Sequence, residues 1–162
     1  VKIRYSLIPY LYSEFLKAVI NNEMIFRPLA FDFPDDTDAQ QTEDQLFVGN
    51  EIMIAPVYKQ NAKGRYVYLP EEMMLVRMRN YNNFETEILP AGHHWVKAEL
   101  NELVFFIRKG KAVPMCEPAE NTESIDYNSI RLTGYADCSY ELYKDNGISP
   151  EPEKSLEIIS LT

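Results

Sequence analysis

Four aspartates lie close together early in the chain: Asp32, Asp35, Asp36 and Asp38. Carboxylate oxygens are the ligands that Ca²⁺ prefers, so this group could in principle bind calcium. The group lacks the fixed alternate spacing and the closing glutamate of a known calcium loop. The pattern therefore favours a solvated turn, and we predict no metal site here.

Two histidines and two cysteines are the other residues with metal-binding or nucleophilic chemistry. His93 and His94 are adjacent, and adjacent residues of a strand point to opposite faces, so they cannot easily share one ion. Cys116 and Cys138 lack metal-ligand spacing, and a cysteine nucleophile would need a positioned histidine that nothing indicates. We predict structural or surface histidines and inert thiols. A disulfide between the two cysteines stays open.

No known catalytic arrangement accompanies these residues. The serines lie outside any Gly-x-Ser-x-Gly turn, and the chain, with six glycines, has no Gly-rich phosphate loop. The many tyrosines and phenylalanines could stack on sugar rings, but a sandwich core with cross-strand pairs accounts for most of them. The residues alone predict no catalytic site, no metal and no cofactor.

Composition indicates a globular protein with an acidic balance. Of 162 residues, 46% are hydrophobic and 25% charged, and the formal net charge is −9. An acidic chain without a Lys/Arg cluster argues against a nucleic-acid partner. No apolar run approaches the roughly 20 residues that span a bilayer, and the N-terminus lacks signal-peptide features. We expect no nucleic-acid or membrane partner and, by default, a cytoplasmic location.

The first 21 residues predict an amphipathic helix. Pro9 is expected in its first turn or at a kink, and Asn21-Asn22 at its end. Lys2, Glu14 and Lys17 are expected on the polar face. The apolar face, at spacings of three and four, would consist of Ile3, Leu7, Ile8, Leu11, Phe15, Leu16 and Val19.

The apolar run over residues 24–31 predicts a strand that follows this helix. Because the run does not alternate, it suggests a strand covered on both faces, as in a parallel sheet. A helix, a short turn and a buried strand are typical of a layered or barrelled α/β domain. After the acidic loop, Thr42-Glu43-Asp44 is predicted to cap a short helix that runs through Phe47.

After Gly49-Asn50 the pattern changes to short apolar or alternating runs that are separated by turn residues. Short strands at regular intervals with Gly and Asn turns indicate an antiparallel β-sandwich and a mainly β fold. Asn146-Gly147 predicts a hairpin turn after the last strand. The predicted strands lie at 52–57, 65–69, 75–78, 87–89, 94–96, 103–108, 129–133 and 139–143.

An ordered series of motifs resembles glycoside hydrolase family 31, the α-glucosidase and α-xylosidase family. The first, Arg4-Tyr5-Ser6-Leu7-Ile8-Pro9-Tyr10-Leu11-Tyr12, is similar to a helix motif of that family. Each motif is modest alone, but their order over residues 4–147 is specific. The others lie at 27–29 with 33–35, 44–49 with 54–57, 65–70, 106–110 with 113–115, and 142–147.

The resemblance implies a retaining enzyme with a (β/α)₈ barrel followed by β-sandwich domains. The family's catalytic aspartates lie in motifs such as Trp-x-Asp-Met-x-Glu, which this sequence lacks, so no catalytic residue is carried over. Asp32 follows the strand-like Arg27-Pro28-Leu29 and is only a weak substrate-binding candidate near the barrel mouth. Residues 71–78 replace a Trp-Tyr-Asp-type segment, which leaves α-glucosidase or α-xylosidase activity open.

We interpret residues 1–50 as the C-terminal remnant of the barrel (last helix, strand and closing helix) and residues 51–162 as the proximal C-terminal β-sandwich. This chain alone is predicted inactive, and the full-length parent is predicted to hydrolyse terminal α-linked glucose from oligosaccharides. The expected partners are such α-glucosides for the parent, the missing barrel, and further copies of this chain through its exposed apolar surface. The alternative is a stand-alone carbohydrate-binding or interaction module that uses exposed tyrosines or Trp95.

Overall fold

The computed structural model describes residues 2–148 and 151–162. The fold is mainly β with antiparallel strands, as predicted. Short 3₁₀ helices lie at Thr122–Ser124, Tyr127–Ser129 and Pro152–Ser155. The other elements are α1 (Lys2–Ser6), α2 (Ile8–Asn21), β1 (Phe26–Pro28), α3 (Leu29–Asp32), α4 (Thr37–Gln41), β2 (Leu46–Val48), β3 (Ile52–Ile54), β4 (Gly64–Leu69), β5 (Met73–Asn80), β6 (Asn83–Leu89), β7 (Gly92–Lys97), β8 (Leu103–Arg108), β9 (Ala112–Met115), β10 (Arg131–Gly134), β11 (Tyr140–Lys144) and β12 (Glu157–Leu161).

The N-terminal helix has the predicted ends. It is interrupted at Leu7, and Pro9 lies in the first turn of α2, where its missing N–H has no helical partner to lose. Asn22 ends α2 in the left-handed conformation with φ 56°. Among the residues described, no helix has the length and apolar character needed to cross a membrane.

The burial pattern of α2 differs from the prediction at Glu14. Tyr10 and Glu14 are buried, whereas Leu11, Phe15 and Val19 are exposed. Glu14 was predicted on the polar face of the helix, and its burial differs from that prediction. The exposure of Leu11, Phe15 and Val19 agrees with the exposed apolar surface that was expected. The periodicity was sufficient to predict the helix but not the burial of Glu14.

A six-stranded antiparallel sheet in the order β1-β2-β3-β8-β5-β6 organises the fold. Its strands lie on both sides of residue 50, since β1 and β2 precede that residue. The division into 1–50 and 51–162 stays a prediction. The predicted parallel strand over 24–31 is wrong: β1 has three residues, lies at the sheet edge and pairs antiparallel with β2. Pro28, with φ −58°, then leads directly into α3.

Both faces of the central sheet are covered. Met74 and Val76 of β5 belong to a core shared with α1, α2 and β9–β12, while Met73 and Leu75 belong to a core shared with α3, α4 and the two-stranded β4–β7 sheet. Alternate side chains of a strand point to opposite faces, so a strand covered on both sides is apolar throughout. This explains the unbroken apolar run in β5.

The remaining boundaries include two corrections. The predicted helix through Phe47 is strand β2, and the helix of this region is α4, which begins after Asp36. Strands β11 and β12 are antiparallel, but residues 145–156 connect them rather than a two-residue Asn146-Gly147 turn. Ser149 and Pro150 in this connection lie outside the described residues. The predicted strands between 52 and 143 are confirmed to within a few residues, while β9 and β12 were not predicted.

Candidate functional site

Asp32, the one candidate for substrate binding, lies at the C-terminal end of α3 between two arginines. Arg27 Nε donates to Asp32 Oδ1 at 2.9 Å, and Arg27 Nη2 donates to Oδ2 at 3.1 Å. Arg108, at the end of β8, donates from Nη1 to Oδ2 at 2.7 Å. Both carboxylate oxygens of Asp32 therefore accept charged hydrogen bonds within the chain.

The ion pairs around Asp32 continue in two directions. Arg108 Nε donates to Glu71 Oε1 at 2.5 Å, and Arg27 Nη2 donates to Asn50 Oδ1 at 2.9 Å. The guanidinium of Arg108 also lies 4.8 Å from the ring centroid of Phe47. The network connects α3, the β2–β3 turn, the loop before β5 and the end of β8.

The electrostatics of Asp32 follow from this network. Burial raises the pKa of its carboxyl group, but the hydrogen bonds and charges of Arg27 and Arg108 outweigh burial and bring the pKa below its usual value. Asp32 thus stays ionised and pairs with Arg27 on β1 and Arg108 on β8. A contact between Asp32 and substrate stays a prediction.

The other aspartates of the acidic loop have local partners. Asp36 Oδ1 accepts from the backbone N–H groups of Asp38 and Ala39 at 2.9 and 3.1 Å, which caps α4. Tyr68 Oη donates to Asp36 Oδ2 at 2.5 Å, and this bond raises the pKa of Tyr68 to about 12. In the described ranges, no three His, Cys, Asp or Glu residues are placed to hold a metal ion.

The histidines have separate partners, as the alternation of β7 implies. His93 Nε2 lies 3.2 Å from Asp38 Oδ2, whereas His94 Nε2 lies 2.8 Å from the carbonyl oxygen of Pro90. The two side chains therefore take part in different contacts on the surface.

Both cysteines are free thiols in the structure. Cys116 is buried and Cys138 is half-buried. Burial raises the pKa of the Cys116 thiol, which disfavours the reactive thiolate. The structure thus supports the prediction that Cys116 is inert.

A buried polar cluster between α2 and the sheet was not predicted from the sequence. Tyr140 Oη donates to Glu14 Oε1 at 2.7 Å, and the Asn50 N–H donates to Glu14 Oε2 at 3.3 Å and to Glu51 Oε2 at 3.1 Å. Tyr10 Oη donates to Glu51 Oε2 at 3.2 Å and also to the carbonyl oxygen of Val48. We call Tyr10, Glu14, Glu51 and Tyr140 the junction cluster.

Two lysines offset the carboxylates of the junction cluster. Lys17 Nζ lies 2.8 Å from Glu14 Oε1, and Lys111 Nζ lies 3.9 Å from Glu51 Oε1. Burial, followed by the charge of Glu14, nevertheless raises the pKa of Glu51. The i, i+4 spacing of Tyr10 and Glu14 was the only sequence signal that could have indicated this cluster.

An exposed apolar surface lies on the outer side of α2 and continues onto β1. It consists of Leu11, Phe15, Val19, Met24 and Phe26, which are 37–57% exposed. A shallow groove of about 390 Å³ runs between Phe15, Val19 and Phe26. We call this surface the α2 strip.

A family model described as "Glycosyl hydrolase family 31 C-terminal domain" matches residues 22–113, more than half of the chain. The chain therefore belongs to glycosyl hydrolase family 31.

Individual relatives agree with this assignment. The chain is 30% identical over 159 residues to "Alpha-glucosidase 2" of Bacillus thermoamyloliquefaciens and 31% identical over 157 residues to "Alpha-xylosidase" of Saccharolobus solfataricus, each match covering 95% of the chain. A crystal structure of a family 31 α-xylosidase from Xanthomonas citri superposes with a TM-score of 0.79 at 26% identity and covers 98% of the chain.

The same matches cover a small part of the other proteins. The chain spans 19% and 21% of the two curated relatives and 17% of the Xanthomonas citri chain. It corresponds to the C-terminal domain region that α-glucosidase- and α-xylosidase-type enzymes share.

Proposed function

We propose that this chain is a structural part of a retaining α-glucosidase-type glycoside hydrolase, and that the full-length parent hydrolyses terminal α-linked glucose from oligosaccharides. The observation that carries the proposal is that the matches to these two relatives cover 95% of the chain but only 19% and 21% of the relatives' own length. An α-xylosidase activity of the parent is the alternative, since relatives of both names match the chain about equally.

The chain by itself is proposed to be inactive. A retaining glycosidase needs two carboxyl groups about 5–5.5 Å apart, one a nucleophile and the other an acid/base that a sugar can reach. Asp32 is bonded to Arg27 and Arg108 and acts, in this proposal, as a positioning residue for the sheet edge. Glu14 is buried on the inner side of α2, and Glu51 is buried near it. Neither Asp32 nor the Glu14–Glu51 pair offers two unbonded carboxyl groups that a sugar can reach.

The α2 strip is proposed to pack against the parent's remaining part, which we expect to be the catalytic barrel. α2 has buried Glu14 on its inner side and apolar Leu11, Phe15 and Val19 on its outer side. A surface helix of a complete globular protein normally has the opposite arrangement. Exposed apolar patches of this kind commonly mark interfaces. In the isolated chain, the same strip would drive self-association.

A cytoplasmic location is proposed from the thiols. Cys116 and Cys138 are both free, and free cysteines are typical of reducing compartments. A Cys116–Cys138 disulfide found by non-reducing peptide mapping of the native protein would contradict this proposal.

The test compares the 162-residue chain with the product of the complete reading frame that encodes it. We expect turnover of p-nitrophenyl α-glucoside by the complete product and none by the chain. The α-xyloside, assayed in parallel, decides between the two substrate classes. Turnover by the purified 162-residue chain, co-eluting with it through two separations, would overturn the proposal.

A further inference from the structure

An exposed aromatic pair lies on the outer face of the two-stranded β4–β7 sheet. Tyr66 and Trp95 are directly opposite in the strand register, their ring centroids are 5.0 Å apart, and they are 70% and 58% exposed. The next pair along this sheet is Tyr68 and His93, with centroids 4.9 Å apart. Four rings therefore form a continuous surface across two strands.

The two pairs differ in the bonds that their polar atoms make within the chain. Tyr68 donates to Asp36, and His93 lies 3.2 Å from Asp38, so this end of the surface is bonded to α4 and its cap. Tyr66 and Trp95 contact each other and otherwise face solvent. The β4–β7 sheet therefore presents an aromatic surface whose Tyr68–His93 end is bonded and whose Tyr66–Trp95 end is exposed.

A groove of about 390 Å³ borders Tyr66 and Tyr68 and has a charged pair in its wall. Arg65 Nη2 lies 2.6 Å from Asp44 Oδ1, and Tyr58 Oη donates to Asp44 Oδ2 at 3.2 Å. The guanidinium of Arg65 lies 5.7 Å from the centroid of the Tyr58 ring. The groove thus combines aromatic faces with fixed hydrogen-bond donors and acceptors, as small-ligand sites do.

These features match a neutral sugar chain. A pyranose ring presents C–H groups on its faces, which can stack on aromatic rings, and hydroxyl groups around its rim, which can bond to carboxylate and guanidinium groups. A protein partner fits less well, because two exposed rings and one groove are small against the roughly 800 Å² that each partner buries in a standard interface.

We propose that Tyr66, Trp95 and the groove at Tyr58, Asp44 and Arg65 bind an α-linked glucan chain. The choice of glucan rests on the proposed α-glucosidase-type function of the parent. The site would hold a long substrate on the enzyme surface between cleavage events. Because few rings contact the sugar and the site is open, we expect a Kd of about 1 mM.

Fluorescence of the 162-residue chain tests this proposal, because Trp95 is its only tryptophan. Maltoheptaose is titrated to about 20 mM, with cellohexaose as the β-linked comparison to the limit of its solubility. We expect a saturable change in Trp95 emission with maltoheptaose that is at least about fivefold weaker with cellohexaose. The absence of a saturable change with maltoheptaose, or equal affinity for both sugars, would overturn the proposal.

Two substitutions separate the site from other surfaces. Tyr66→Ala keeps the fluorophore and should weaken maltoheptaose binding at least about fivefold. Phe15→Ser removes an exposed ring from the α2 strip and should leave binding unchanged, with circular dichroism confirming that both variants are folded. Equal binding by Tyr66→Ala and the unsubstituted chain would contradict the assignment.

This result is independent of the parent's activity. Binding by the chain together with an inactive complete product would overturn the proposed function and leave the Tyr66–Trp95 site in place. Turnover by the complete product without binding by the chain would support the proposed function and overturn the Tyr66–Trp95 site.

Discussion

The two sides of α2 have opposite chemistry to those of an ordinary surface helix. The inner side places Tyr10 and Glu14 in the buried junction cluster, where each makes hydrogen bonds to the sheet or to β11. The outer side presents Leu11, Phe15 and Val19 to solvent. Burying a carboxyl group is unfavourable unless it is bonded, and exposing an apolar side chain loses the benefit of burial.

This contrast indicates that the two sides have different tasks. The junction cluster fixes α2 to the chain itself, so its loss should lower the free energy of unfolding. The α2 strip contributes little to the isolated chain, so its loss should change association and not unfolding. Substitutions on the two sides of α2 therefore separate a change in the free energy of unfolding from a change in self-association.

The largest expected effect is that of Gly49→Ala beneath the junction cluster. Gly49 has φ +65°, and an added Cβ would clash with Glu14 Oε2 and lie 2.5 Å from Tyr10 Oη. Left-handed backbone and a forced displacement of buried groups together should lower the free energy of unfolding by about 3 kcal/mol. Urea denaturation measures this.

Gly147→Ala is the matched control for Gly49→Ala. Its φ is +66°, but an added Cβ would meet nothing within 4 Å. Gly147→Ala should therefore lower the free energy of unfolding only by the cost of an alanine in the left-handed conformation, about 1 kcal/mol. Equal losses in the two variants would mean that the junction cluster is not tightly packed.

The second prediction concerns the arginine that joins Asp32 to Glu71. Arg108→Met removes the 2.7 Å and 2.5 Å bonds to these two carboxylates and leaves both with fewer partners in half-buried positions. We expect a loss of about 2 kcal/mol in the free energy of unfolding.

Lys109→Met is the comparison for Arg108→Met, because Lys109 pairs with Glu72 at 2.9 Å and both of these side chains are exposed. It should cost about 0.5 kcal/mol or less, as exposed ion pairs do. A loss for Arg108→Met no larger than this would contradict a positioning role for the Asp32 network.

The third prediction concerns the α2 strip. The triple variant Leu11→Ser, Phe15→Ser and Val19→Ser should weaken self-association of the chain at least tenfold, about 1.4 kcal/mol, with an unfolding free energy close to that of the original chain. Sedimentation equilibrium measures the association constant.

Leu100→Ser and Ile148→Ser, at two strongly exposed apolar positions outside the strip, serve as the control for the α2 triple variant and should leave association unchanged. If the original chain is a monomer at high concentration, the strip does not drive self-association.

The smallest expected effect is the pH dependence that Glu51 introduces. Burial and the charge of Glu14 raise the pKa of Glu51 in the folded chain, so between the usual glutamate pKa and this raised value the folded state binds more protons than the unfolded state. Stability attributable to Glu51 therefore falls as pH rises through this window. Glu51→Gln should remove the loss.

In measurements, Glu51→Gln should be more stable than the original chain by about 1 kcal/mol at neutral pH, and the difference should shrink below the window. A constant difference at all pH values would contradict the raised pKa of Glu51.

The sequence was sufficient for most strands but not for the contacts that carry the candidate sites. Runs such as 103–108 could be placed because strand patterns are local. The burial of Glu14 could not be predicted, because periodicity separates an apolar from a polar face of α2 but does not identify what packs against each face. Capping residues at 42–44 favoured a helix, but pairing of β2 with β1 and β3 overrode that local signal. Strand β9 was missed because Pro114 interrupts it.

The candidate site residues show the same limit. The sequence was enough to single out Asp32, but not the two arginines that bond it, since Arg108 is 76 positions away. The junction cluster likewise joins residues of α2, the β2–β3 turn and β11, and no spacing within the sequence connects them.

Hydroxyl-radical footprinting of the complete product, beside the 162-residue chain, tests the central claim that α2 has one anchored side and one side covered by the rest of the parent. We predict that Phe15 and Phe26 are oxidised at least about fivefold more slowly in the complete product, whereas Trp95 reacts at the same rate in both. Equal oxidation of Phe15 and Phe26 in the two proteins would contradict the account.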